Sequence, residues 1–74
     1  MPIVDVIATG ANIKAIMKQK NIKTADIQAV CGFNTPQAIF KWLRGDAMPT
    51  IDNIVILAGM FDMPIDDIII RKII

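Results

Sequence analysis

The 74-residue sequence predicts an all-α fold, five short helices around one core. Three observations carry that expectation. Apolar residues recur three and four positions apart, the spacing of one helix face. A residue able to cap a helix stands ahead of each such run. Strand-like alternation does not persist anywhere past Val6. No internal repeat or low-complexity linker divides the chain, so residues 1–74 read as a single domain: an N-terminal arm (1–8) and a bundle (9–72).

Thr9 is read as the cap of the first helix, which runs to about Lys20 with Ile13, Ile16 and Met17 on its buried stripe. Lys14 and Lys18 lie one turn apart on its polar side. Thr24 caps a second, short helix, with Asp26 in the first turn, where the helix dipole favours an acid. Ile27, Val30 and Cys31 repeat the apolar spacing, and Gly32 closes the helix in a left-handed conformation. In the stretch FNTPQAIFKWLRG, Thr35 is the third cap and Pro36 takes the first helical position, where its missing N–H is no loss. Ile39, Trp42 and Leu43 form that helix's apolar stripe, and Gly45 ends it.

Thr50 caps a fourth helix from Ile51 to about Asp62, with Ile54, Leu57, Ala58 and Phe61 inward. Pro64 is a stop before a fifth, IDDIIIRKII, with Asp66 and Asp67 in its first turn and Arg71 and Lys72 near its end. The opening MPIVDVIA is compatible with an arm, an edge strand or an extension of the first helix.

Composition narrows the function classes. A single cysteine, Cys31, precludes an intramolecular disulfide, and the absence of histidine removes the usual zinc ligand sets. A reduced, cytoplasmic setting is the expectation. The first residues lack the basic segment of a signal peptide, and the longest apolar run, Ile54 to Phe61, is too short to span a membrane. No phosphate-cradling glycine loop and no nucleophile with a base is present, so neither an enzyme nor a cofactor or small-molecule site is expected. Apolar residues make up 54% of the chain and mean hydropathy is +0.51. A domain this small cannot bury that much apolar surface alone, which points to a homodimer.

Net charge is only +1, yet it is unevenly placed. Residues 1–50 hold Lys14, Lys18, Lys20, Lys23, Lys41 and Arg44 against Asp5, Asp26 and Asp46, a balance of +3. Residues 51–74 hold Arg71 and Lys72 against Asp52, Asp62, Asp66 and Asp67, a balance of −2. The first two-thirds therefore tilts toward a polyanion.

Two short helices joined across Gly32, the second with a polar tip, describe a helix-turn-helix. In such a unit the first helix braces the second, which lays its N-terminal residues into the DNA major groove. Ile27, Val30, Ile39 and Trp42 would lock the pair together, and free N–H groups at both helix starts would meet phosphates.

GANIKAIMKQKNIKTADIQAVCGF, then QAIFKWLRG, then MPTIDNIVILAGMFDMPIDDII together resemble the lambda-repressor/Cro (Xre-type) helix-turn-helix family. The likeness runs from Thr9 to Ile70, and more narrowly the chain is similar to a bacterial branch whose third helix reads PQAI, an aromatic, then KW. It implies a five-helix lambda-repressor-like bundle and a DNA-binding transcriptional regulator, often dimeric. It also implies a recognition helix from Thr35 to Leu43 with Thr35, Pro36, Gln37, Phe40 and Lys41 facing outward. Gln37 is then the base reader, since a glutamine amide pairs adenine N6 and N7. Lys41 reaches a guanine edge or a phosphate. Lys23 and Thr24 match backbone-touching positions, and Arg44 matches the basic residue before the closing glycine.

Three departures weaken the expected phosphate grip. The link between the second and third helices is one residue longer than the commonest form. Asp46, Ala47 and Met48 stand where basic residues are frequent, and Thr24 and Ala25 replace a frequent glutamine. They leave a second reading open, an antitoxin-like or other protein-interaction module with little DNA affinity.

Several residues have plainer readings. Lys14, Lys18 and Lys20 fit a solvated face, Cys31 a small core hydrophobe, and Trp42 the core. Phe40 fits either a thymine methyl in the groove or a protein partner. Asp66 and Asp67 are adjacent in the predicted helix and so do not face one another as a metal pair would. The tail Ile68, Ile69, Ile70, Ile73 and Ile74 covers more than one helix face, so part of it should meet a second subunit.

Overall fold

Asp5 starts the first helix, four residues ahead of the expected cap. In the computed structural model, which describes residues 1–74, its Oδ1 accepts from the Ala8 N–H at 3.0 Å. Helix α1 spans Val6–Lys20. Thr9 is therefore no cap: it is fully buried inside α1, and its hydroxyl accepts from the Ile70 N–H at 2.9 Å. The Thr9 side chain is claimed by the far end of the chain instead.

Helix α2 spans Thr24–Cys31 and α3 Gln37–Arg44, joined by a link that begins at Gly32, whose φ is 74°. Helix α4 spans Ile51–Phe61, and its cap Thr50 accepts from the Asn53 N–H at 3.3 Å, as expected. The core lies between these helices: Ile13, Ile16 and Met17 of α1, Ile27 of α2, Ile39 and Trp42 of α3, and Leu57 and Phe61 of α4, with Ile68 beneath.

The fifth helix does not form. Ile65–Asp67 make one 3-10 turn, and Arg71–Ile73 form a strand, β2, antiparallel to β1 at Pro2–Val4. Side chains of α1 end the turn. Asn12 Nδ2 donates to the Asp67 and Ile68 carbonyls at 2.8 and 2.9 Å, the acceptors a continuing helix would use. Thr9 then holds Ile70, and Asp5 N–H donates to the Ile70 carbonyl at 2.8 Å. A run of β-branched isoleucines has little helix preference to resist this. The opening segment thus becomes a strand as far as Val4 and helix from Val6, and the bundle has four α-helices.

Candidate nucleic-acid interface

The position of α3 is set from behind by α1, the helix it meets most extensively. A Cβ on Gly10 would lie 2.1 Å from the Trp42 carbonyl oxygen, so only glycine lets the two backbones approach this closely. Ile39 is fully buried and Trp42 only 4% exposed. Phe33 in the link stacks edge-on against Trp42, ring centres 5.8 Å apart. Gln28 of α2 clamps the same link: its backbone carbonyl accepts from the Phe33 N–H at 3.0 Å, and its Nε2 donates to the Phe33 carbonyl at 3.3 Å. Gly10, Gln28 and Phe33 had no role in the sequence reading. The one signal was a glycine inside a helical run, a costly choice without a packing reason.

With its inner side fixed, α3 turns Gln37, Phe40, Lys41 and Arg44 to solvent, the i, i+3, i+4, i+7 stripe of a single face. Thr35 is exposed just ahead of the helix and Pro36 is partly buried. The structure corrects the start of α3. Pro36, with φ −83° and ψ 6°, is the N-cap, the helix begins at Gln37, and Thr35 makes no capping bond. Without a side-chain acceptor there, the N–H groups of the first turn stay unpaired at the exposed tip, and the first to bond back is Phe40, to the Pro36 carbonyl.

The start of α2 is also shifted by one residue. Lys23 is its N-cap and Thr24 its first helical residue. The Lys23 N–H donates to Asp26 Oδ2 at 2.9 Å, so the acid expected to favour the dipole also closes the turn. Lys23 is exposed and Thr24 half-buried, both at the N-terminal end of the bracing helix.

Arg44 is differently engaged from what its sequence position suggests. Its Nε bonds Asp46 Oδ2 at 2.9 Å, the molecule's single ion pair, with both side chains more than half exposed. An exposed pair of this kind is worth about 0–1 kcal/mol. Cys31 is half-buried beside the core, and desolvation pushes its thiol pKa up, in keeping with a small apolar role. No helix is long and apolar enough to cross a membrane.

A bracing helix, a clamped link and a second helix with one polar face outward define a helix-turn-helix protein. The chain belongs to that family in its lambda-repressor/Cro (Xre) form: the family model described as Helix-turn-helix (HTH_3) matches residues 13–68. Among solved structures it is similar to the restriction-modification controller protein C.AhdI from Aeromonas hydrophila. That likeness has 17% identity and a TM-score of 0.75, and covers 86% of this chain and 96% of that one. It is also similar to the DNA-binding domain of BldD, at 18% identity and a TM-score of 0.71, covering 89% of this chain and 94% of that one. Both likenesses concern the fold. No curated protein sequence matches this one.

Proposed function

We propose that the protein is a sequence-specific, double-stranded DNA-binding transcriptional regulator that acts in the cytoplasm as a homodimer and lays α3 in the major groove. The observation that carries this reading is the stripe Gln37, Phe40, Lys41 and Arg44, exposed on a helix held rigidly by Ile39, Trp42 and Gly10. Gln37 at the tip presents an amide to an adenine edge. Lys41, one turn on, meets a guanine or phosphate, and Phe40 between them suits a thymine methyl. Thr35 and Pro36 shape the approach, while Lys23, Thr24 and the first N–H groups of α2 take phosphate. The printed descriptions of the two similar structures, a controller protein and a DNA-binding domain, support the same reading.

A polarisation titration against the DNA upstream of the protein's own reading frame tests it. Binding about a thousandfold tighter than to scrambled duplex at moderate salt is expected; equal affinity for both overturns the claim of specificity.

The Arg44–Asp46 pair favours one competing reading, a protein-interaction or antitoxin-like module, because it offsets a cation where DNA binders need one. Indifference to heparin and to bulk DNA at low salt would support that alternative.

A further inference from the structure

The N- and C-terminal segments, far apart in sequence, form one exposed ribbon, and its hydrogen-bond phase leaves one edge open. Asp5 N–H donates to the Ile70 carbonyl and Ile74 N–H to the Met1 carbonyl. Between them Pro2 faces Ile73, Ile3 faces Lys72 and Val4 faces Arg71. Antiparallel ladders alternate, so Ile3 and Lys72 bond across the ribbon. Pro2 and Val4 on β1, and Arg71 and Ile73 on β2, turn their backbone groups outward. On the β1 edge Pro2 has no N–H to give. On the β2 edge both residues carry a donor and an acceptor. Such an edge is a template for another strand, and two strands alone are marginal in water.

The same end of the molecule is its most apolar exposed region. Met1, Ile3, Val4, Ile7, Ile73 and Ile74 all lie open, Ile73 and Ile74 by 77% and 78%. They are six of the eleven large apolar side chains that the molecule leaves exposed, and a contiguous apolar patch of this kind marks an interaction surface.

We infer that β2 pairs antiparallel with β2 of a second copy, making a continuous four-stranded sheet that is the dimer interface of the proposed regulator. The inference rests on that reading only for its dimer. Charge selects the register. The in-phase pairings centre the two-fold on Arg71, Lys72 or Ile73, and the first two set like cations directly opposite, which is destabilising. The third sets Ile73 against the partner's Ile73 and Lys72 against the partner's Ile74. It also leaves the reading face free. A Cβ on Gly45, just past the C-terminal end of α3, would stand 2.8 Å from Ile7, next to the ribbon, whereas Gln37 is at the other end of that helix.

Sedimentation of the whole chain without DNA, with circular dichroism as the fold control, tests this. Ile73→Pro removes an outward N–H and breaks no bond within the ribbon, so it should leave the helical signal intact and weaken dimerisation at least tenfold. In a Cys31→Ala background, Ile73→Cys should cross-link to a covalent dimer under mild oxidant. Ile51→Cys, on the exposed side of α4, should not. A strict monomer at high concentration overturns the proposal, as does cross-linking at Ile51 and not at Ile73. If Ile73→Pro fails to fold, the cross-linking pair decides. A dimer formed this way that shows no DNA preference would sink the regulator reading alone; a monomer that binds one sequence specifically would sink this inference alone.

Discussion

The α3 face and the β1–β2 ribbon are both exposed to solvent, but they offer it different chemistry. On α3 three of the four outward side chains are hydrogen-bonding groups, and the helix beneath them is seated on fully or nearly buried Ile39 and Trp42. The ribbon offers mostly aliphatic side chains and an unpaired backbone edge, and side-chain bonds from Thr9 and Asn12 hold the tail that leads into it. A rigid polar face suits reading of a fixed pattern of donors and acceptors. An apolar edge suits pairing with a like surface.

The largest effect should come from the residue on which the α3 side of this contrast depends. Gly10→Ala would gain up to about 1 kcal/mol of helix preference. Its Cβ meets a backbone oxygen that cannot rotate away, so a net loss of about 3 kcal/mol from overpacking is expected in urea unfolding. Gln37→Ala should leave stability unchanged and cost about 1–3 kcal/mol of binding at one base position, read by titrating single-base operator variants. Thr9→Val keeps the size of the side chain but strands the half-buried Ile70 N–H. A loss of about 1–2 kcal/mol is expected, with faster amide exchange in 70–73 and little change in α2 and α3. The smallest effect concerns charge. Asp46→Ala frees Arg44 from its exposed partner, and the slope of log affinity against log salt should steepen by about 0.9 if Arg44 then takes one phosphate. An unchanged slope would mean that Arg44 stays off the DNA.

The two regions also differ in how well the sequence described them. Helices α2 and α3 were legible because their signals are local: the spacing Ile39–Trp42–Leu43, the glycines at Gly32 and Gly45, and a proline at the helix start. Errors there were the N-caps, each off by one residue, Lys23 for Thr24 and Pro36 for Thr35, and Val30, expected to lock the two helices together but exposed on α2. The ribbon end was misread. Thr9 looked like a cap and IDDIIIRKII like a helix, because both segments carry helix-compatible punctuation. Gly10, Gln28 and Phe33 went unnoticed because their partners Trp42 and the link backbone are close only after folding.

What the sequence determined by itself was the two helices of the helix-turn-helix and the apolar inner stripe of the second, since periodicity and capping act within one turn of chain. What only the tertiary structure decided was the fate of the two ends. Asp5 and Ile70, or Thr9 and Ile70, are more than sixty positions apart, and their hydrogen bonds exist only once α1 has packed on the core. Local preference in an isoleucine run is weak. The long-range bonds to Asp67, Ile68 and Ile70 therefore outweigh it, and a predicted helix becomes a 3-10 turn and a strand.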